Sequence, residues 1–149
     1  MSPDPDPDFA HRPVMVDEIV EVFAPVPAGW LVDATLGGAG HASALLAAHS
    51  HLRVLGIDRD PDALTAARVR LAAHGDRVRT VHARFDGLAE AVATEVPDGE
   101  LVVGALFDLG VSSPQLDRGE RGFSYRLDGP LDMRMDPTSG RSAADVVNG

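Results

Sequence analysis

The sequence contains no cysteine, which excludes disulfide bonds, thiolate metal sites and a cysteine nucleophile. It also has no apolar run near the roughly 20 residues of a membrane span, and its N-terminus lacks an apolar signal core. Hydrophobic residues nevertheless make up 44% of the 149 residues, a share typical of one globular domain with a sizeable core. These features together predict a cytoplasmic protein of one domain.

Basic residues are outnumbered, with 13 Lys and Arg against 23 Asp and Glu and a formal net charge of −10. Lys and Arg supply most of the affinity for a phosphate backbone, so the overall charge argues against unaided binding of nucleic acid. Any nucleic-acid footprint must therefore be local or lie elsewhere. Residues 1–10, in which Pro and Asp alternate, are predicted to form a disordered acidic tail.

A short apolar run followed by a glycine-rich turn organises the rest of the chain. Residues 30–32 are typical of a buried parallel strand, and a helix is predicted to begin near His41. Between them, Gly37, Gly38 and Gly40 give the backbone freedom to approach a ligand closely. A cofactor is the natural occupant of such a turn, although a tight loop without any ligand has the same pattern.

Three further runs are predicted to be strands, with amphipathic helices between them. They lie at 53–58, 77–82 and 101–107, and the last is expected to be a central strand covered on both faces. An amphipathic helix is also predicted ahead of the first strand, with an apolar face of Val14, Ile19, Val22 and Phe23. Strands that alternate with helices in this way predict a parallel, doubly wound α/β sheet.

The carboxyl ends of the predicted strands carry residues that suit ligand binding. These residues are Asp33, Asp58, Phe85 and Asp108. Ligands bind outside the carboxyl ends of such sheets, so one crevice could hold all four. The loop at 109–141 shows neither helical nor strand periodicity and is predicted to be functional or disordered. Ser142 to Asp145 then has the pattern of a capping box that opens another helix.

Two nucleotide-binding patterns compete for the glycine-rich turn. Asp58 follows Gly38 at about the 20-residue distance of a ribose-binding acid in dinucleotide folds, yet Ser43 stands where the third glycine belongs. A P-loop is excluded because the turn has no Gly-Lys-Ser/Thr. An adenosine cofactor without pyrophosphate remains, because a carboxylate at Asp33 would repel pyrophosphate but attract the amino group of a methionine moiety.

Six runs resemble motifs of the RsmH (MraW) family: His11–Met15, Asp33–His41, Ile57–Pro61, Asp108–Gln115, Arg121–Tyr125 and Asp128–Pro137. This family consists of S-adenosylmethionine-dependent methyltransferases that modify N4 of a decoding-centre cytosine in 16S ribosomal RNA. The resemblance implies a Rossmann-like class I fold, S-adenosylmethionine as the cofactor, and 16S ribosomal RNA in the small ribosomal subunit as the partner.

Members of this family are considerably longer. The resemblance therefore implies that residues 11–149 are the N-terminal part of a methyltransferase domain, incomplete at its C-terminal end, with 109–141 as an active-site loop. Without the later strands, the run at 101–107 would become an apolar edge. Such an edge favours self-association or a complementing chain.

The resemblance also implies roles for individual residues. The implied cofactor-binding set, with Asp33 added from its place at the first strand end, is Asp33, Ala39, Gly40, His41, Asp58, Phe85, Asp108 and Gln115. Within it, Asp58 would bind the ribose hydroxyls and Phe85 would lie near the adenine, roles that suit a two-oxygen acceptor and a flat ring. Asp108, Ser112 and Pro114 are the catalytic candidates, because the target base must enter there.

The chemistry implied is methyl transfer to an exocyclic amine, which needs alignment and hydrogen-bond acceptors. Many amino-methyltransferases carry Asn/Asp-Pro-Pro-aromatic at this place, whereas this chain has Asp-Leu-Gly-Val, so the acceptor stays open. The lack of cysteine favours the amino group as target, because methylation of cytosine C5 requires thiolate attack.

The sequence is compatible with three kinds of protein: an RNA methyltransferase, a cofactor-binding fragment without independent activity, and a nucleotide-dependent oxidoreductase. Five loop residues are candidates for admitting RNA: Arg118, Arg121, Tyr125, Arg126 and Arg134. The alternative is a solvated or ion-paired loop, in which neighbouring acids neutralise the arginines. His49 and His51 are interpreted as a solvated helix end and not as a metal site.

Overall fold

A computed structural model describes residues 13–149, so the predicted tail at 1–10 lies outside the described residues. The strands are β1 Gly29–Asp33, β2 Leu52–Asp58, β3 Val78–His82 and β4 Val102–Leu106. The α-helices are α1 Val16–Phe23, α2 Gly40–Ala48, α3 Pro61–Leu71, α4 Leu88–Glu95, α5 Ser113–Asp117 and α6 Ala143–Val147. None of the helices within 13–149 is long and apolar enough to cross a membrane.

The four strands form one parallel sheet in the order β3-β2-β1-β4. Asp33 pairs in register with Gly56 and Leu106, and Asp58 pairs with His82. The chain therefore crosses over the sheet between every pair of successive strands, as the sequence pattern predicts. The predicted parallel α/β sheet is confirmed, and all carboxyl strand ends meet at one edge.

Side chains from the two faces of the sheet form two apolar clusters. Leu31 packs with residues of α1, α2 and α3, whereas Trp30 and Val32 pack with Ala91 of α4. Successive residues of a strand point to opposite faces, so an unbroken apolar run is what a strand covered on both sides requires. The two clusters give the doubly wound arrangement and hold the strand ends in place.

The apolar face predicted for α1 is partly wrong. Ile19, Val20 and Phe23 pack against the core, whereas Val14 and Val22 are exposed. Residues three and four positions apart share one face of a helix, which places Ile19 and Val20 beside Phe23. Val14 lies before the helix begins, and Val22 lies outside the stripe that faces the sheet.

β4 is not the central strand that its apolar run predicts. It pairs only with β1 and forms an edge of the described sheet, with Leu101 and Val102 exposed. The apolarity of a strand does not distinguish a central strand from an edge strand, because the position of a strand depends on which other strands pair with it. An edge position in this part of the sheet is what the family resemblance implies for the run. Association or a complementing chain at this edge stays a prediction.

The loop at 109–141 contains local structure that its lack of periodicity hides. Ser112 caps α5, and its side chain accepts from the amide of Gln115 while Gln115 accepts from the amide of Ser112. A short 3₁₀-helix, Gly119–Arg121, follows. Five helical residues are too few for periodicity to show, although the Ser-x-x-Gln capping box was visible in the sequence. The capping box at Ser142 is confirmed by α6.

A buried ion pair ties this loop to the sheet. The guanidinium of Arg121, a residue that is only 7% exposed, donates to Asp60 at 2.8 Å and to the carbonyl of Met135 at 2.9 Å. Gln115 donates to the same Asp60 oxygen at 3.1 Å. Asp60 also caps α3 by accepting from the amide of Asp62 at 3.0 Å. One carboxylate thus joins β2, α3, α5 and the distal part of the loop.

Substitution of Arg121 should destabilise the protein strongly. Arg121→Met leaves the carboxylate of Asp60 buried without its cationic partner, so the free energy of unfolding should fall by about 3 kcal/mol, as measured by urea denaturation. Arg118→Gln is the matched control, because Arg118 and Asp62 form an exposed pair that should contribute less than about 1 kcal/mol. Equal losses in the two variants would contradict a structural role for the buried pair.

Candidate functional site

The turn between β1 and α2 has the geometry of a ligand-binding loop. Ala39 lies in the left-handed region at φ 62°, as does Gly37 at φ 51°. A left-handed non-glycine residue is strained, and such strain is concentrated at functional sites. A side chain at Gly38 would meet nothing within 4 Å, so one flank of the turn is open. Gly40 packs against Pro13, where a Cβ would lie 2.2 Å from the ring.

Asp58 holds this turn from the neighbouring strand. One carboxylate oxygen accepts from the amide of Gly37 at 2.7 Å, and the other accepts from the amide of Asp60 at 2.8 Å. These bonds fix the orientation of the carboxylate, and each oxygen keeps acceptor capacity for a further donor. Asp58 is half-buried at the strand edge. Its geometry therefore suits two neighbouring hydroxyl groups of one ligand.

Asp33 is a buried carboxyl beneath the turn. It is 1% exposed, and desolvation raises its pKa to about 6. The amide of Thr35, which donates at 3.2 Å, and the nearby His41 lower the pKa, whereas the charges of Asp58 and Asp108 raise it. His41, Asp58 and Asp108 thus all act electrostatically on the buried carboxyl of Asp33.

Thr35 is a site residue that the sequence analysis missed. Besides its bond to Asp33, its hydroxyl accepts from the amide of Asp108 at 2.7 Å. This contact joins the loop after β1 to the loop after β4. The spacing Asp-x-Thr, typical of an Asx-turn, was the available signal for the bond to Asp33. The bond to Asp108 depends on the pairing of two distant strands and leaves no local signal.

His41 and Asp108 lie side by side at the edge of the turn. His41 is buried, with Nε2 2.8 Å from the carbonyl oxygen of Val14. Because a carbonyl only accepts, this nitrogen carries a proton. The other ring nitrogen lies 4.0 Å from a carboxylate oxygen of Asp108, which is exposed. The Asp108 carboxylate is consequently available to a substrate, whereas the ring nitrogens of His41 face the protein.

Two aromatic rings stand at the carboxyl ends of β3 and β4. Phe85 and Phe107 meet edge to face, with ring centroids 6.2 Å apart at 82°. They are 50% and 48% exposed, so both rings are accessible to a ligand. An exposed pair of this kind can flank a flat base. The sequence analysis selected Phe85 and missed Phe107, which it assigned to the strand.

The other predicted residues after β4 serve the local structure of the loop. Ser112 is the N-cap of α5, and Pro114 lies in its first turn. The side-chain oxygen of Gln115 accepts from Ser112 at 3.0 Å, and its nitrogen donates to Asp60. These bonds position the loop beside Asp108. Direct contact of Gln115, Ser112 or Pro114 with a ligand stays a prediction.

Most of the loop arginines proposed for RNA entry are paired with acids. Arg121 is buried against Asp60, Arg134 donates to Asp132 at 2.7 Å, and Arg118 donates to Asp62. These pairs favour the ion-paired alternative for the three residues. Tyr125 and Arg126 remain on the surface, where the guanidinium lies 5.5 Å from the ring centre.

The interpretation of His49 as a solvated helix end is wrong, because this half-buried side chain is bonded to the protein. Nε2 of His49 lies 2.9 Å from the carbonyl oxygen of Val20, which joins α2 to α1. Within residues 13–149 no group of three or more His, Asp or Glu side chains is arranged to hold a metal ion. A structural role therefore accounts for the position of this histidine.

Comparisons with known proteins identify a family and several relatives. A model of the MraW methylase family matches residues 8–149. Ribosomal RNA small subunit methyltransferase H from Geobacter sp. (strain M21) is 52% identical over 142 residues, which cover 95% of this chain and 45% of that protein. The protein of the same name from Saccharopolyspora erythraea is 56% identical over 142 residues, 93% of this chain and 42% of its own. The chain spans less than half the length of these relatives.

A solved structure supports the fold independently. An rRNA methylase from Streptococcus thermophilus superposes with a TM-score of 0.50 at 24% identity, covering 68% of this chain and 57% of that chain. At this identity the likeness concerns the Rossmann-like fold alone, which confirms the predicted fold class. Because the family model matches nearly the whole chain, the resemblance seen in the sequence motifs is confirmed as well: the chain belongs to the MraW methylase family.

Proposed function

We propose that this chain is the N-terminal, cofactor-binding portion of a cytoplasmic methyltransferase that uses S-adenosylmethionine to methylate N4 of a decoding-centre cytosine in 16S ribosomal RNA. The observation that carries the proposal is the Asp58 carboxylate, fixed by two backbone amides beside an open, strained turn. Family membership and the names of the relatives support methyl transfer to ribosomal RNA of the small subunit.

The residues at the strand ends fit a cofactor that consists of an adenosine and a methionine moiety. Asp58 would accept from the two ribose hydroxyls, and Phe85 with Phe107 would flank the adenine. Gly38 gives the open flank along which the methionine part can lie, and the negative charge of Asp33 beneath the turn attracts its amino group through space. When bound, the cofactor supplies an electrophilic methyl group.

Asp108 is the best-placed acceptor for the target amine. Its backbone is fixed by Thr35, and its carboxylate is exposed at the carboxyl end of β4. A carboxylate oxygen there can accept a hydrogen bond from the N4 amino group and turn the nitrogen lone pair towards the methyl donor. It can also hold the proton that the amine releases. A base in folded RNA must be turned out of its stack to reach this position.

A fragment that binds the cofactor without independent activity is the second candidate. The exposed edge of β4 and the short length relative to the relatives favour it. The oxidoreductase alternative has less support, because Ser43 replaces the third glycine of a dinucleotide fold and the family is a methylase family.

Methyl transfer to small ribosomal subunits distinguishes the two leading candidates. We expect this chain alone to bind S-adenosylhomocysteine but to transfer radiolabelled methyl groups far more slowly than the full-length Geobacter relative. Transfer as fast as by that relative would reject the fragment alternative. Absence of cofactor binding in calorimetric titration would contradict the proposed function itself.

Replacement of Asp58 should weaken cofactor binding. Asp58→Ala removes charged hydrogen bonds to the ribose and should reduce the binding free energy of S-adenosylhomocysteine by about 1–3 kcal/mol in calorimetric titration. Asp62→Ala serves as the control, since Asp62 is an exposed acid of the first turn of α3. Thermal melting of both variants confirms that each is folded. Unchanged affinity of Asp58→Ala would remove this residue from the site.

Cofactor affinity should depend on pH through Asp33. Its pKa of about 6 in the free protein means that the carboxyl is protonated at lower pH and must lose its proton before it attracts the cationic amino group. Affinity should therefore rise as the pH increases through about 6 and level off above it. Calorimetric titration across this range tests the profile, and Asp33→Asn should bind more weakly with a flat one. A flat profile in the unsubstituted chain would contradict the attraction.

A further inference from the structure

A concave site lies apart from the glycine-rich turn. It is a cavity of about 610 Å³, within the range of natural ligand pockets, between the ends of β2 and β3 and the segment 132–147. Arg59 and Arg84 line one side, and Arg134 and Arg141 line the other. None of the residues assigned to the cofactor lines this cavity. We call it the arginine cavity.

The arginine cavity concentrates positive charge in an acidic chain. All 13 basic residues of the sequence are arginines, and four of them line this one cavity against a single carboxylate, Asp132. Arg134 already neutralises that carboxylate at 2.7 Å. Arg84 pairs with Asp86, which is exposed and outside the lining. Asp136 and Asp145 act on Arg134 from outside the lining, so the surplus of cations is a property of the lining residues themselves in a chain of net charge −10.

Three buried side-chain nitrogens of the described residues have no hydrogen-bond partner, on His51, Arg59 and Arg121, and only Arg59 lines the arginine cavity. Within residues 13–149 its guanidinium forms no ion pair, and its Nε is buried without a hydrogen-bond partner. A buried donor without an acceptor is costly, and native proteins rarely leave one unless a ligand or ion completes it. Across the cavity, the one hydrogen bond that Arg141 forms with the described part of the chain goes to the carbonyl of Asp145, so its charge has no carboxylate partner there.

The rest of the lining is apolar and includes an aromatic ring. Phe123, Met133 and Met135 form part of the wall, with Val146 and Val147 of α6 at its end. Forked guanidinium donors match the oxygens of a phosphate, and an aromatic face stacks on any base. Arginines together with an apolar, aromatic wall are therefore suited to one nucleotide, with its phosphate and its base on different parts of the lining.

We infer that the arginine cavity binds one nucleotide of the single-stranded RNA next to the target cytosine, with a backbone phosphate on Arg59 and Arg141 and the base against Phe123. This inference rests on the proposed function for its choice of RNA, whereas the site itself is separate from the cofactor site. The net charge of −10 does not prevent such binding, because one nucleotide needs positive charge only where it contacts the protein.

Binding of a short, fluorescein-labelled oligouridine, followed by fluorescence anisotropy from low to physiological salt, tests the inference. Arg59→Gln and Arg141→Gln should each weaken binding about tenfold and make the slope of log affinity against log salt shallower by about 0.7, the value for one lost phosphate contact on a single strand. Arg68→Gln is the matched control, because it removes the same charge from the exposed face of α3. Arg141 is exposed, so its replacement does not threaten folding.

Two outcomes would overturn the inference. The first is equal weakening by Arg59→Gln, Arg141→Gln and Arg68→Gln, which would indicate general charge attraction. The second is displacement of the oligouridine by inorganic phosphate as readily as by unlabelled oligouridine, which would indicate a site for free phosphate.

Titration of the same proteins with S-adenosylhomocysteine separates this inference from the proposed function. If the chain binds oligouridine through Arg59 and Arg141 but binds no cofactor, the proposed function fails and the arginine cavity stands as an RNA site. If cofactor binding is intact and oligouridine binding ignores both arginines, the inference alone fails.

Discussion

Parallel pairing of β1 with both β2 and β4 is the constraint on which the candidate site depends. Because the strands run the same way, their carboxyl ends meet at one edge, and Asp33 and Asp58 arrive there together. Hydrogen bonds between the loops then set the geometry, since Gly37 donates to Asp58 and Thr35 accepts from Asp108. The site is therefore built from backbone groups and short side chains at the ends of neighbouring strands.

A buried ion pair decides where the long loop lies relative to that edge. Asp60 caps α3 and also accepts from Arg121 and Gln115, which come from distant parts of the loop. Without these bonds the loop could take many paths, since it contains no long helix or strand. With them, its first turn stays beside Asp108, and its distal part forms one wall of the arginine cavity. The bonds to Asp60 that stabilise the loop thus also position the groups proposed to act in methyl transfer and RNA binding.

Two buried or partly buried charges of opposite sign mark the two sites. Burial raises the pKa of Asp33, so its ionised form gains most from a cationic group placed over the turn. Arg59 has a buried donor without an acceptor, so it gains most from an anion. The methionine part of the cofactor is the proposed partner of Asp33, and an RNA phosphate is the inferred partner of Arg59. Both ligands would then lie at the same edge of one sheet.

The sequence by itself determined the elements that depend on local patterns. The alternation of strands and helices specified the parallel sheet, and the Asp60–Pro61 start specified α3. The common position of Asp33 and Asp58 was then predictable, because the carboxyl ends of parallel strands meet at one edge. Only the tertiary structure decided that β4 is an edge and that Arg121 is buried against Asp60. It alone also placed the hydroxyl of Thr35 on the amide of Asp108. Each of these contacts joins residues far apart in the chain, and local periodicity carries no information about such pairs.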